Sequence, residues 1–107
     1  MRKYLPRIAD DLLDRSLKAS GAVLIEGPKW CGKTSTAFHK AKTAIYMQDP
    51  DQRANYLQIA SIKPSILLQG DTPRLIDEWQ LAPILWDSVR HEVDLRNDTG
   101  QFILTGS

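Results

Sequence analysis

The apolar run Ala22-Val23-Leu24-Ile25 passes through Glu26 into Gly27-Pro28-Lys29-Trp30-Cys31-Gly32-Lys33-Thr34. The second stretch matches G-x-x-x-x-G-K-[ST], and this order of elements constrains the fold more than any other feature of the chain. A buried strand, a tight glycine-bearing turn and a helix with free N–H groups in its first turn together make a cradle for phosphate. Gly27 and Gly32 bracket the turn, where the lack of a Cβ permits positive φ and close approach of backbone to an anion. Lys33 is expected to reach the terminal phosphates and the Thr34 hydroxyl to ligate Mg²⁺. Pro28, Lys29, Trp30, Cys31 and Ser35 complete the expected nucleotide-binding set. An incidental glycine-rich turn is the plain alternative, and the flanking strand and helix argue against it.

A second run, Leu75-Ile76-Asp77-Glu78, ends in two acids, 44 residues after Lys33. A strand that delivers Asp77 beside the phosphates supplies the carboxylate that holds the Mg²⁺ hydration shell, the Walker B role. Side chains alternate across a strand, but the chain is leaving the sheet at Glu78. A carboxylate at that exit can turn toward the γ-phosphate and polarise an attacking water. Asp alone suits a small-molecule kinase or a binding switch, whereas Asp-Glu favours hydrolysis. The bland alternative makes Glu78 a solvated residue at a strand end.

Gln101-Phe102-Ile103-Leu104-Thr105-Gly106-Ser107 forms a further apolar strand closed by small hydroxyl residues. In P-loop proteins with an additional strand between Walker A and Walker B, the tip of that strand carries a polar sensor. Ser107 stands where that sensor belongs, with Thr105 second. Thr-Gly-Ser is also ordinary turn chemistry.

Four stretches together resemble one family: Tyr4-Leu5-Pro6-Arg7-Ile8, Leu24 to Thr34, Leu75-Ile76-Asp77-Glu78-Trp79-Gln80 and Phe102 to Ser107. They are similar to the prokaryotic AAA-type ATPases that carry a C-terminal domain of unknown function. Trp30-Cys31 and Trp79-Gln80 are details beyond a generic P-loop. The resemblance implies ATP and Mg²⁺ as cofactors, Glu78, Lys33 and Ser107 as the catalytic set, and Thr34 with Asp77 as the metal-binding pair. It implies adenine over guanine, with Tyr4 and Arg7 bordering the base by analogy with related AAA proteins. It also places a further helix and strand, an arginine finger, a second sensor and a second domain beyond Ser107. On that basis the chain is expected to be a truncated core, with homo-oligomerisation or the missing domain as partners.

With 107 residues, 42% hydrophobic and 25% charged, one compact domain is expected. Its 14 Lys and Arg are interspersed with 13 acids for a net charge of +1, so no basic block indicates nucleic acid. A single cysteine forbids an internal disulfide. The absence of an apolar span near 18 residues argues against a membrane segment, and Met1 to Arg7 lacks the apolar continuation of a signal peptide. The cytoplasm is the default expectation.

Residues 1–21 are expected to form an N-terminal helical segment and 22–107 a P-loop core. Ile8, Leu12, Leu13 and Leu17 are spaced for one helical face, with Pro6 at its start and Gly21 as its stop. The first strand is Ala22 to Glu26 and the following helix spans about Gly32 to Lys42. Thr43 to Met47 forms a strand, and residues 51–62 a helix whose apolar positions are Ala54, Leu57 and Ile62, with Tyr56 and Ala60 as further candidates. Residues 65–69 fit either a short helix or a strand. Arg74 to Asp77 is a strand, Pro83 starts a helix with Leu85, Val89 and Val93 at four-residue spacing, and Trp86 pairs with Val93 at seven. Asp98-Thr99-Gly100 ends that helix, and Gln101 to Leu104 is the last strand. This alternation predicts an α/β fold: a three-layer, mainly parallel P-loop sheet, truncated before its fifth core strand. The last strand is expected between the first and third, which leaves the outer edge of the first strand bare.

Other residues admit two accounts. Cys31 is a reactive thiol or simply a small residue that fits, and Lys29 attracts phosphate or is a solvated lysine. Trp30 stacks on a base or packs on the loop. His39 and His91 have no neighbours at metal-ligand spacing. Arg90 and Arg96 are read as solvated helix-face charges, and Glu26 as structural. Two functions follow: a Mg-dependent ATPase, or a non-hydrolysing nucleotide-binding or regulatory fragment that acts through its bare edge.

Overall fold

The computed structural model describes residues 6–26 and 33–106, with side chains described for 12–26 and 37–106. Its elements alternate in order: α1 (Pro6–Ala19), β1 (Ala22–Glu26), α2 (Lys33–Lys40), β2 (Thr43–Tyr46), α3 (Arg53–Ile62), β3 (Arg74–Asp77), α4 (Ile84–Arg96) and β4 (Phe102–Gly106). Short 3₁₀ turns span Pro64–Leu68 and Trp79–Leu81. All strand pairs are parallel and the order is β1-β4-β3-β2. The last strand therefore lies between the first and third, the order expected of a P-loop sheet.

Parallel strands put their side chains on alternate faces, and each face needs a cover. Leu75 and Ile103 pack with Leu13 and Leu17 of α1 and Ala37 of α2 on one side. Ile76, Phe102 and Leu104 pack with Ala60 of α3, Leu67 and Leu68 of the first 3₁₀ turn, and Leu85 and Val89 of α4 on the other. The result is three layers around a central sheet: an α/β architecture of the P-loop type. All five residues of β4 are buried. Those of β1 up to Ile25 are only half-buried, because β1 is an edge in the sheet of described residues.

Several sequence expectations shift. Residues 64–68 take the helical of their two expected forms, as a 3₁₀ turn that starts at Pro64. In α3 the inward face is Tyr56, Ile59 and Ala60, while Leu57 and Ile62 are exposed and Ala54 faces solvent. Spacings of three and four residues satisfy either face of a short helix, and the 64–68 turn chooses between them. Leu12 is likewise exposed, and Leu13 and Leu17 carry the α1 contact. Helix α4 stops at Asn97, which adopts the left-handed conformation at φ 52° and donates its N–H to Val93 O at 2.8 Å. β4 begins one residue later and runs two residues further than its apolar pattern suggests.

Arg96 is not a solvated helix-face charge. Its guanidinium lies 5.0 Å from the centre of the Phe102 ring, donates to Gln101 Oε1 at 3.0 Å and pairs with Glu92 at 2.9 Å. It seals the amino end of β4, whereas Arg90 is exposed as expected. Among the described residues, no helix is long and apolar enough to cross a membrane.

Candidate functional site

The parallel register lines up the strand ends. Ile25, Thr105, Asp77 and Tyr46 form one row across the sheet, and Glu26 pairs with Gly106 one step beyond. Asp77 lies two residues after Leu75 and Thr105 two after Ile103, so both side chains emerge on the face covered by α1 and α2. β1 delivers the chain to this carboxyl edge and β2 starts at the opposite edge. Helix α2 therefore runs down the sheet, with Lys33, Thr34 and Ser35 in its first turn at the end where Asp77 and Thr105 stand. Gly27, Pro28, Lys29, Trp30, Cys31, Gly32 and Ser107 lie outside the described residues, as does Tyr4.

Thr105 is fully buried, and its hydroxyl donates to Asp77 Oδ1 at 2.5 Å. This short bond to a carboxylate fixes the Asp77 rotamer at the edge of the sheet. The charge of Asp77 is felt by its neighbour in β2. Burial raises the pKa of Tyr46 above the phenol's ordinary 10.0, and repulsion from Asp77 adds to the rise.

Glu78 extends the β3–β4 ladder by one bond, N–H to Thr105 O at 2.7 Å, and then breaks from it. It holds φ 56° and ψ 49°, a left-handed conformation that is uncommon for a residue with a Cβ and costs about 1–3 kcal/mol. The chain turns sharply there into the 3₁₀ turn Trp79–Leu81. Glu78 is 2% exposed, which removes the account of it as a solvated strand-end residue. Gln80 Nε2 donates to Glu78 Oε1 at 2.6 Å. Trp79 packs against Trp86 of α4, with ring centres 5.2 Å apart.

Two polar atoms beside this turn, Trp79 Nε1 and Gln80 Oε1, are buried with no hydrogen-bond partner among the described residues. Gly106 makes room for it: a Cβ there would stand 2.7 Å from Gln80 Oε1 and 3.4 Å from Trp79 Nε1.

A family model described as an AAA domain matches residues 19–107. The chain belongs to the AAA domain family. No curated protein and no solved structure matches it. Membership points to nucleotide binding, and the carboxyl edge of this AAA domain's sheet is where an open parallel α/β sheet takes its ligand. Among the described residues no group of three or more His, Cys, Asp or Glu could hold a metal ion.

Sequence reasoning singled out Asp77, Glu78 and Thr105 in this AAA domain but not the links among them. Gln80 was visible only as part of Trp79-Gln80, with no role attached. Its signal is the separation of two residues from Glu78, which becomes a contact only if the chain turns immediately after the strand.

Proposed function

We propose that this AAA domain binds MgATP and hydrolyses it, as the core of a prokaryotic AAA-type ATPase whose full form carries a further C-terminal domain. Residues 1–21 form its leading helical segment and 22–107 its P-loop core. The observation that supports this reading is the pair of adjacent acids with different surroundings. Asp77 is locked by Thr105 on the α2 face, while Glu78 is turned out of the strand by a left-handed backbone and is shielded from bulk water. Lys33 and the loop Gly27–Gly32 hold the phosphates, Thr34 and Asp77 hold Mg²⁺, and Mg²⁺ when bound neutralises charge on the β- and γ-phosphates. Glu78 orients the water and Ser107 senses the γ-phosphate. Phosphoryl transfer demands mainly positioning and charge stabilisation, which this division of roles provides.

Phosphate release from ATP, measured for the chain and for Glu78→Gln, tests the reading. Turnover is expected in the parent and a fall of about 100-fold or more in Glu78→Gln with nucleotide binding retained. Lys33→Ala is expected to abolish binding. Turnover unaffected by Glu78→Gln would remove the base. A second reading, nucleotide binding without hydrolysis and partner pairing through the sheet edge, is favoured by the half-buried apolar face of β1. It wins if binding depends on Lys33 but no phosphate appears.

A further inference from the structure

Trp79-Gln80 is a motif that the assignment above leaves without a role, and the geometry gives it one. We propose that Gln80 is the positioning residue for Glu78: its side-chain amide holds the Glu78 carboxylate in the orientation that activates water. The inference rests on the hydrolytic reading of Glu78.

Three observations carry it. The amide N–H of Gln80 donates to Glu78 Oε1 at 2.6 Å, a short contact of the charge-assisted kind. An ionised carboxylate only accepts hydrogen bonds, so the amide must present its nitrogen to Glu78 and its oxygen to the other side. That oxygen is buried and has no partner among the described residues, although the Trp79 indole N–H is buried and unmet beside the same glycine. A side chain serving only the fold would turn to satisfy both of its ends. Gln80 instead satisfies the end that faces Glu78.

The second support is steric. The amide lies where a Cβ on Gly106 would be, 2.7 Å from its oxygen and 3.3 Å from Cδ. Gly106 sits at the tip of β4, next to Thr105, which holds Asp77. The end of one strand thus supports both acids, through a hydroxyl for Asp77 and through an absent side chain for Glu78. The backbone adds a third constraint: Glu78 and Gln80 flank Trp79 in a turn that begins with the left-handed Glu78, so the two side chains meet only in this conformation.

The test uses the full chain with ATP and Mg²⁺, following phosphate release, alongside Gln80→Leu, Gly106→Ala and the double variant. Leucine keeps the bulk of Gln80 and removes the donor. Alanine at position 106 displaces the far end of the same flexible side chain without touching its chemistry. Each single variant is expected to lower kcat about 10- to 100-fold, the effect of a misplaced catalytic group, with KM for ATP within about twofold. The double variant is expected to be no slower than the slower single one, because both break one contact. As a readout apart from turnover, ATP affinity measured at equilibrium is expected to stay within about twofold in both single variants, because Gln80 acts on the water-activating group and not on nucleotide binding.

Unchanged kcat in a folded Gln80→Leu chain, or a loss of ATP affinity that matches the loss of kcat, overturns the role of Gln80 while leaving Glu78 as base. Multiplicative losses in the double variant overturn it as well, since the two substitutions then act separately. Should Gln80→Leu fail to fold, Gly106→Ala decides alone by the same kcat and ATP-affinity criteria. If the parent shows no turnover, or Glu78→Gln leaves it unaffected, the hydrolytic reading falls and takes this inference with it.

Discussion

Thr105 and Asp77 are directly opposite each other in the β3–β4 register and are joined by a 2.5 Å bond from hydroxyl to carboxylate. The bond ties the central strand to the strand that carries both acids, at the edge where α2 begins. Thr105→Val keeps the shape and removes the donor. The expected loss is about 1–3 kcal/mol, read from urea unfolding, because Thr105 has no solvent to replace the bond. Thr105→Ser is expected to retain the contact and to cost less. Equal stability of Val and Thr would mean that the bond contributes nothing.

Gly21 precedes β1, and its carbonyl accepts from the N–H groups of both Gln101 and Phe102. A Cβ there would overlap Val93 Cγ1 and come within 3.1 Å of Asp98 O. Gly21→Ala is therefore expected to lower stability by about 1–3 kcal/mol through overpacking. Val93→Ala in the Gly21→Ala background should recover part of the loss. An additive pair in thermal melts would place the strain elsewhere.

Arg96 offers a test of where a partly buried charge finds its value. Arg96→Met is expected to cost about 1–3 kcal/mol, since it removes the contact with the Phe102 ring and the bond to Gln101. Glu92→Gln, which removes only the i,i+4 ion pair, is expected to cost about 0.5 kcal/mol or less. Comparable losses in the two variants would assign the stability to the ion pair instead.

Tyr46 sets the alkaline behaviour of the carboxyl edge. Its folded-state pKa lies above the ordinary 10.0, from burial first and the charge of Asp77 second. The folded phenol therefore holds its proton to higher pH than the unfolded one. Below pH 10 the phenol is protonated in both states and its contribution is fully present. As pH rises through 10 the unfolded state loses its proton first, and stability falls until the folded phenol also ionises. Stability measured from pH 8 to 12 should show this fall, and Tyr46→Phe should reduce it. Asp77→Asn should lower the Tyr46 titration midpoint in ultraviolet absorbance. A midpoint unmoved by Asp77→Asn would show that burial alone is responsible.

The strands were legible because a buried parallel sheet writes itself as short apolar runs, and Ala22–Glu26 and Arg74–Asp77 fall where those runs lie; their order followed from the resemblance to P-loop proteins, not from the runs. Short helices were harder. Ala54 and Leu57 are spaced as a core face would be, and only the position of the 64–68 turn shows that Tyr56, Ile59 and Ala60 face inward instead. Arg96 was misjudged because charge predicts solvation until an aromatic ring and an amide are found beneath it. At the candidate site, residue types announced the acids and the hydroxyl, but a left-handed Glu78 and its link to Gln80 depend on a backbone angle that no side-chain pattern encodes.

The central position of β4 shapes how this molecule can be made. Ala22 finds its ladder partner in Phe102, 80 residues later, and β3 also needs β4 on its other side. A nascent chain leaving the ribosome can therefore form helices and the β2–β3 pair, but β1 has nothing to zip onto until residues 102–106 emerge. During that interval the hydrophobic first strand waits unprotected, which makes it the segment a chaperone is most apt to hold.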